Sequence, residues 1–313
     1  MRSFLGGSLL ALAACGAPDA AAPEAGAPAG WSIAADGDLN ALFDCLEAEG
    51  AALVAAHRGG PAPGFPENAV ETFENTLAKA PALLEIDVAT SSDGVLYLMH
   101  DDTLERTTTG EGPAGGLSWA EIAALRLKAE GRATGFRPPS FAEALAWAKG
   151  RTILEIDFKK TTRYEDAIAE INRQQAEDRV ILIAYSTAQA ERLHRLAPRV
   201  MISLSVESQS DLNRAVAAGV PADRIVGFAG VEDPHPRLFS ILAGQGVEVI
   251  FGTLGGRDSL DNDIEASGND AYYATLAGMG VDIIATDRPI AAQSALDAAG
   301  RGARPGLCGV RKS

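Results

Sequence analysis

Two histidines, His57 and His100, each close a short apolar run and precede a charged residue. Histidine titrates closest to neutral pH, so two imidazoles brought together can take one proton and give another. Two further segments echo each other: Leu84-Glu85-Ile86-Asp87 and Leu154-Glu155-Ile156-Asp157-Phe158-Lys159. Along a strand, side chains two apart share a face. Glu85 therefore points with Asp87, and Glu155 with Asp157 and Lys159, while Leu, Ile and Phe take the opposite face. Several carboxylates facing one mouth repel each other, and either protonation or a bound cation relieves this. Carboxylate oxygens suit the hard ions Ca²⁺ and Mg²⁺. Arg58 offers a planar fork and Lys159 a point charge, both suited to phosphate. Together these residues point to phosphoester cleavage. A divalent cation would offset oxygen charge, one histidine would accept a proton, and the other would donate one.

The elements that must position them read as a regular alternation. Short apolar runs of buried parallel strands occur at 53–57, 83–88, 152–158, 180–185, 201–205, 225–229, 247–251 and 282–286. Between them lie amphipathic helical patterns at 69–79, 141–149, 164–175, 187–196, 209–217, 236–245, 270–278 and 289–299. Ser186 and Ser208 are candidate N-caps, and Pro289 suits a first helical turn. Eight such units predict a TIM (β/α)₈ barrel, in which chemistry collects where strands end. A doubly wound sheet is weakened by the lack of a G-x-G-x-x-G after the first strand. The rhythm breaks once, after strand two, at about 91–140. This segment holds a strand-like run at 95–99 and a helix-like run at 119–125, and reads as a small insertion over the barrel mouth.

The chain has 313 residues, with 27 Lys plus Arg against 42 Asp plus Glu, a formal charge of −15. This excludes the basic surface that nucleic acid or an anionic membrane would need. Residues 1–14 carry one Arg, an apolar run and small residues, the grammar of a signal peptide. Leu12-Ala13-Ala14-Cys15 resembles a bacterial lipobox, which implies lipidation of Cys15 and an anchor on the periplasmic side. Gly16 after the Cys leans towards the outer membrane. Residues 15–35, rich in Ala, Pro and Gly, read as a flexible tether, leaving 36–313 for the barrel. Cys45 lies just before the first strand and Cys308 just after the last helix, which are neighbours in a closed barrel, so a Cys45–Cys308 disulfide is expected.

The stretches HRGG (57–60), PEN (66–68), 85–112, EIDFK (155–159) and GVDIIATDRP (280–289) are similar to those of glycerophosphodiester phosphodiesterases, in family order and spacing. The resemblance implies a TIM barrel with an insertion after strand two. It implies His57 and His100 as the acid–base pair, and Glu85, Asp87 and Asp157 as ligands of a divalent cation. Asp157 stands where the family usually has Glu, with Lys159 setting the register, and Glu155 is read as a supporting residue nearby. Arg58 and Lys159 match phosphate-binding positions, and Glu67 and Asn68 match a motif that supports the site. The implied activity cleaves a glycerophosphodiester into glycerol 3-phosphate and an alcohol, with the neighbouring glycerol hydroxyl attacking first.

One departure concerns the seventh strand, where a W-T-x-N stretch is often found in the family. Here Phe251-Gly252-Thr253-Leu254 is followed by an acidic, Gly-rich stretch, 255–263, read as a loop. Two alternatives follow: phospholipase D-like action on lysolipids or sphingolipids, and a non-catalytic periplasmic binding lipoprotein. In each case the partner is a small molecule, and the membrane is met only through the N-terminal anchor.

Overall fold

The computed structural model describes Met1 and residues 30–313. The signal segment, Cys15 and most of the tether lie outside the described residues. Eight parallel strands form one closed sheet in chain order: Leu53–Ala56, Leu83–Thr90, Leu154–Phe158, Val180–Ala184, Met201–Ser205, Ile225–Phe228, Glu248–Gly252 and Ile283–Thr286. The first strand pairs with both the second and the eighth, which closes the barrel. All eight coincide with the runs read from the sequence.

The inward–outward alternation is the one that period two demands. Leu84, Ile86, Val88, Leu154 and Ile156 pack outward against the helices. Leu53, Ala55, Leu83, Ile153, Ile181, Met201, Val226 and Ile250 fill the barrel interior. Polar side chains replace apolar ones higher on the second and third strands. Their register pairs Glu85 with Glu155 and Asp87 with Asp157, so the carboxylates stand side by side at matched heights.

The insertion is a small structure with its own core. Leu96–Leu98 adds antiparallel to the second strand, with Val88 opposite Leu98. Trp119–Ala124 is a short helix whose Ser118 and Glu121 form a capping box. Ala89, Tyr97, Met99, Leu104, Ala114 and Ile122 make a separate buried cluster.

The opposite end is plugged by a helix, Leu39–Ala48, that the sequence reading did not assign. Its Leu39, Leu42, Phe43 and Leu46 close the interior cluster from below. A disulfide joins its Cys45 to Cys308. The tether also ends earlier than expected: Trp31–Ile33 pairs antiparallel with Val310–Lys312. Residues 31–33 thus belong to the fold, because Ile33 is buried beside the plug and the strand finds a partner in the chain's other end. Among the described residues, no helix is long and apolar enough to cross a membrane.

Candidate active site

The first strand breaks off into a tight turn at His57–Gly59, where Arg58 takes the left-handed conformation at φ 51°. This turn presents the Arg58 backbone N–H to Glu85 Oε2 at 2.8 Å. Gly59 allows the turn to sit on the following helix, since a Cβ there would lie 2.2 Å from the Phe73 ring. The Arg58 side chain donates to Glu67 Oε1 at 3.0 Å and reaches within 3.9 Å of Asp87 Oδ2.

Glu85, Asp87 and Asp157 bring one carboxylate oxygen each within 4.8 Å of one another. Burial, and next the Asp87 charge, push the Glu85 carboxyl well above the usual range, against the pull of the Arg58 N–H. Asn68 holds Asp87 twice: its Nδ2 donates to Oδ2 at 2.7 Å, and its Oδ1 accepts the Asp87 N–H at 3.0 Å. Lys159 Nζ lies 2.5 Å from Asp87 Oδ1 and 2.6 Å from Asp157 Oδ2. Burial opposes the Lys159 charge, but these two carboxylates outweigh it and hold the ammonium above its ordinary value. The donor set fits a hard divalent cation: three oxygen ligands, mostly buried, with one lysine as the cation bonded to two of them. Glu155 is outside this triad but lines the same cleft, and burial pushes its carboxyl up to about 7.

Both histidines face this cluster, and both are oriented by a carboxylate. His57 Nδ1 lies 2.6 Å from Asp287 Oδ1, and His100 Nδ1 lies 2.7 Å from Asp101 Oδ1. An ionised carboxylate accepts, so each Nδ1 carries a proton and Nε2 is the ring atom left to take or give one. The Arg58 Nε–H pointing at His57 Nε2, at 3.3 Å, agrees with that tautomer. The cleft has a volume of about 170 Å³ and is lined by His57, His100, the four acids and Lys159 on one side. Ile183, Phe228, Leu254 and Ala285 line the other, with Tyr185 at the rim.

Every site residue read from the described sequence converges here, directly or through a partner. Sequence reasoning did not assign Asp287, Asp101, Arg106 or Asp261. Asp287 was visible as the polar residue ending the eighth strand, and Asp101 as the neighbour of His100. Burial raises the Asp287 carboxyl, but the His57 bond leads the opposing effects and leaves it below its ordinary value. The Arg106 guanidinium holds the Asp101 carboxyl well below the usual range.

Asp261 corrects part of the reading of 255–263 as a loop: 255–259 is irregular, but a helix begins at Leu260. Leu260–Ser267 is a helix capped by Ser259, whose hydroxyl accepts the Asn262 N–H. Asp261, buried, accepts from the Tyr273 and Thr286 hydroxyls and from the Asp287 N–H at 2.7 Å. The acids of the stretch thus divide into Asp258 on the exposed loop, Asp263 in the first helical turn and Asp261 as an internal anchor. Arg257 is exposed.

Similarities to known proteins bear on this arrangement. The model of the glycerophosphoryl diester phosphodiesterase family matches residues 57–291. A crystal structure of a glycerophosphoryl diester phosphodiesterase from Parabacteroides distasonis is similar, with a TM-score of 0.81 and 30% identity, over 91% of this chain and 100% of that one. A glycerophosphodiester phosphodiesterase of Caldanaerobacter subterraneus is 29% identical over 160 residues, 49% of this chain and 65% of the relative. An Oleispira antarctica phosphodiesterase, solved in complex with the product sn-glycerol-3-phosphate, shares the fold at 21% identity. Its TM-score is 0.61, over 78% of this chain and 96% of that one.

Proposed function

The chain belongs to the glycerophosphoryl diester phosphodiesterase family, and from that premise we propose that it hydrolyses glycerophosphodiesters to glycerol 3-phosphate and an alcohol, with His57 and His100 as the proton-transfer pair. One observation carries the reading: two carboxylate-oriented imidazoles and a buried carboxylate triad face one small cleft. The product named for the Oleispira relative agrees with it.

Glu85, Asp87 and Asp157 would hold a divalent cation, Ca²⁺ or Mg²⁺, which would offset the charge on the phosphoryl oxygens. The chain's own groups do the rest. Lys159 and Arg58 place the phosphate at the rim of the triad. One imidazole Nε2 takes the proton of the attacking hydroxyl. The other, entering as imidazolium with a second proton on Nε2, protonates the departing alcohol oxygen as its bond to phosphorus breaks, which leaves a cyclic phosphate. Water, deprotonated by that now neutral ring, then opens the cyclic phosphate, and the first ring returns its proton to the glycerol hydroxyl, giving glycerol 3-phosphate. Asp287 and Asp101 hold the rings so that Nε2 faces the cleft.

A coupled assay for glycerol 3-phosphate, run across head groups with and without EDTA, tests this. Activity unchanged by chelation would reject the metal assignment, and full activity in His57→Ala or His100→Ala would reject the catalytic one. The apolar wall of Ile183, Phe228 and Leu254 favours a second reading, action on a lysolipid whose arm lies across it. Lysophosphatidylcholine belongs in the same assay, and faster turnover than glycerophosphocholine would favour that reading.

Placement follows from sequence alone. Residues 1–14 act as a signal, and a lipidated Cys15 tethers the enzyme on the periplasmic side, at the outer membrane. Cys15→Ser should release it from the membrane fraction; retention there would overturn the anchor.

A further inference from the structure

Arg106 lies in the insertion with a half-exposed side chain, yet it grips two carboxylates at once. Its Nε and Nη2 donate to Asp101 Oδ2 and Oδ1 at 2.6 and 2.7 Å. Its Nη1 and Nη2 donate to Glu67 Oε2 and Oε1 at 2.7 and 2.8 Å. Each acid holds a residue of the site. Asp101 orients His100, and Glu67 accepts from Arg58. One guanidinium therefore ties the insertion's histidine to the loop after the first strand.

The insertion does not need this tie to stay in place. Leu96–Leu98 is laddered onto the second strand, the Met99 N–H donates to the Asp87 carbonyl at 3.0 Å, and Tyr97 is fully buried with its hydroxyl on the Ala114 carbonyl. These contacts decide where His100 leaves the sheet. They do not decide which way its ring faces, because they hold the backbone leading to His100 while the ring's own partner is the Asp101 carboxylate, gripped by Arg106. With Arg106 half-exposed, solvent screens these pairs and their contribution to stability is modest, whereas a planar fork closing on both oxygens of a carboxylate fixes geometry.

We propose that Arg106 is a positioning residue for the reaction. Through Asp101 it sets the orientation of the His100 ring, and through Glu67 it keeps that ring in register with Arg58 and the phosphate. The inference rests on His100 moving a proton, and the experiment separates the two claims.

Arg106→Gln, Arg106→Lys, His100→Ala and the double variant His100→Ala with Arg106→Gln are assayed as the full chain on glycerophosphocholine with divalent cation. Arg106→Gln should lower kcat about 10- to 100-fold, the scale of a misplaced catalytic group, with KM within about threefold. Its melting temperature should stay within about 3 °C of the parent. Arg106→Lys, which restores charge but not the fork, should fall between. The double variant should be no slower than His100→Ala by more than about twofold, since a residue acting through His100 has nothing left to position. Unchanged kcat in Arg106→Gln, a loss that only tracks unfolding, or a loss that adds in full to that of His100→Ala would overturn the proposal. Full activity in His100→Ala would instead overturn the catalytic reading on which it rests.

Discussion

Both ends of the barrel bury carboxylates, and they do so in opposite company. At the mouth, Asp87 and Asp157 share the Lys159 ammonium, Arg58 gives Glu85 its backbone N–H, and Asn68 donates to Asp87. At the base, Glu248 is buried with its Oε2 unpartnered, and the charges facing it are the acids Asp44, Asp282 and Glu47. Burial first, with those acids adding, pushes Glu248 up to about 8; burial, with Glu47 adding, pushes Asp282 up to about 6. The plug helix that supplies Asp44 and Glu47 seals that end, and Cys45–Cys308 ties it shut. A buried acid by itself therefore says little about function. What separates the ends is the complement: cations, donors and histidines at the mouth, and other acids at the base.

The largest expected effect sharpens the contrast at the mouth. Asp87→Asn removes a ligand of the carboxylate triad and should lower kcat/KM about 10³-fold or more, measured with saturating divalent cation. Near-parent activity would mean that the mouth acids are as passive as the basal ones.

Next comes the tie at the base. Replacing Cys45 and Cys308 together by Ser should cost about 2–5 kcal/mol in denaturant unfolding, while kcat stays within about twofold. A large loss of kcat in the folded variant would show that the two ends are coupled.

Asp287→Asn tests whether His57 depends on its carboxylate. With the backbone anchor on Asp261 intact, kcat should fall about 10- to 100-fold with little change in stability. An unchanged kcat would show that the turn alone orients the ring.

The smallest effect lies at the base and carries a pH signature. Glu248 has a raised folded pKa, so the folded state holds a proton that the unfolded state releases above its ordinary carboxyl value of 4.5. The folded state then binds more protons through that window, and this residue's contribution to stability falls as pH rises from about 4.5 to about 8. Glu248→Gln should remove that slope and stabilise the protein by about 1–2 kcal/mol above pH 8, with activity unchanged. Thermal unfolding at pH 5 and pH 8.5 measures it, and a destabilised variant at the higher pH would break the comparison.

Much of the barrel was legible because parallel strands buried on both faces read as short apolar runs, and the two L-E-I-D segments stand out against them. The plug helix was harder to see. Its sequence, LNALFDCLEA, precedes the first strand and falls outside the strand–helix alternation. The helix at Leu260–Ser267 was hidden by its own composition, since first-turn acids and flanking glycines look like a loop until Ser259 is seen to cap it. Among site residues, those carried on a strand's inward face were found from period two alone. Those that act across the chain were not. Asp287 meets His57 across 230 positions, and Glu67 meets Arg106 across 39. Spacing carries no record of such contacts.

The amino-acid sequence by itself determined that eight strands alternate with helices, which face of the second and third strands carries acids, and that two histidines follow apolar runs. Each is a local property, settled by backbone periodicity and by which side chains can be buried. The family resemblance already named Glu85, Asp87 and Asp157 as ligands, but only the tertiary structure brought their oxygens together with Glu155 beside them and gave each histidine its own carboxylate. Only there does Arg106 bridge the two halves of the site, while among the described residues no ion pair reaches Glu248 or Asp282 at the base. Those outcomes depend on strand register and barrel closure, which bring together side chains that no sequence interval connects.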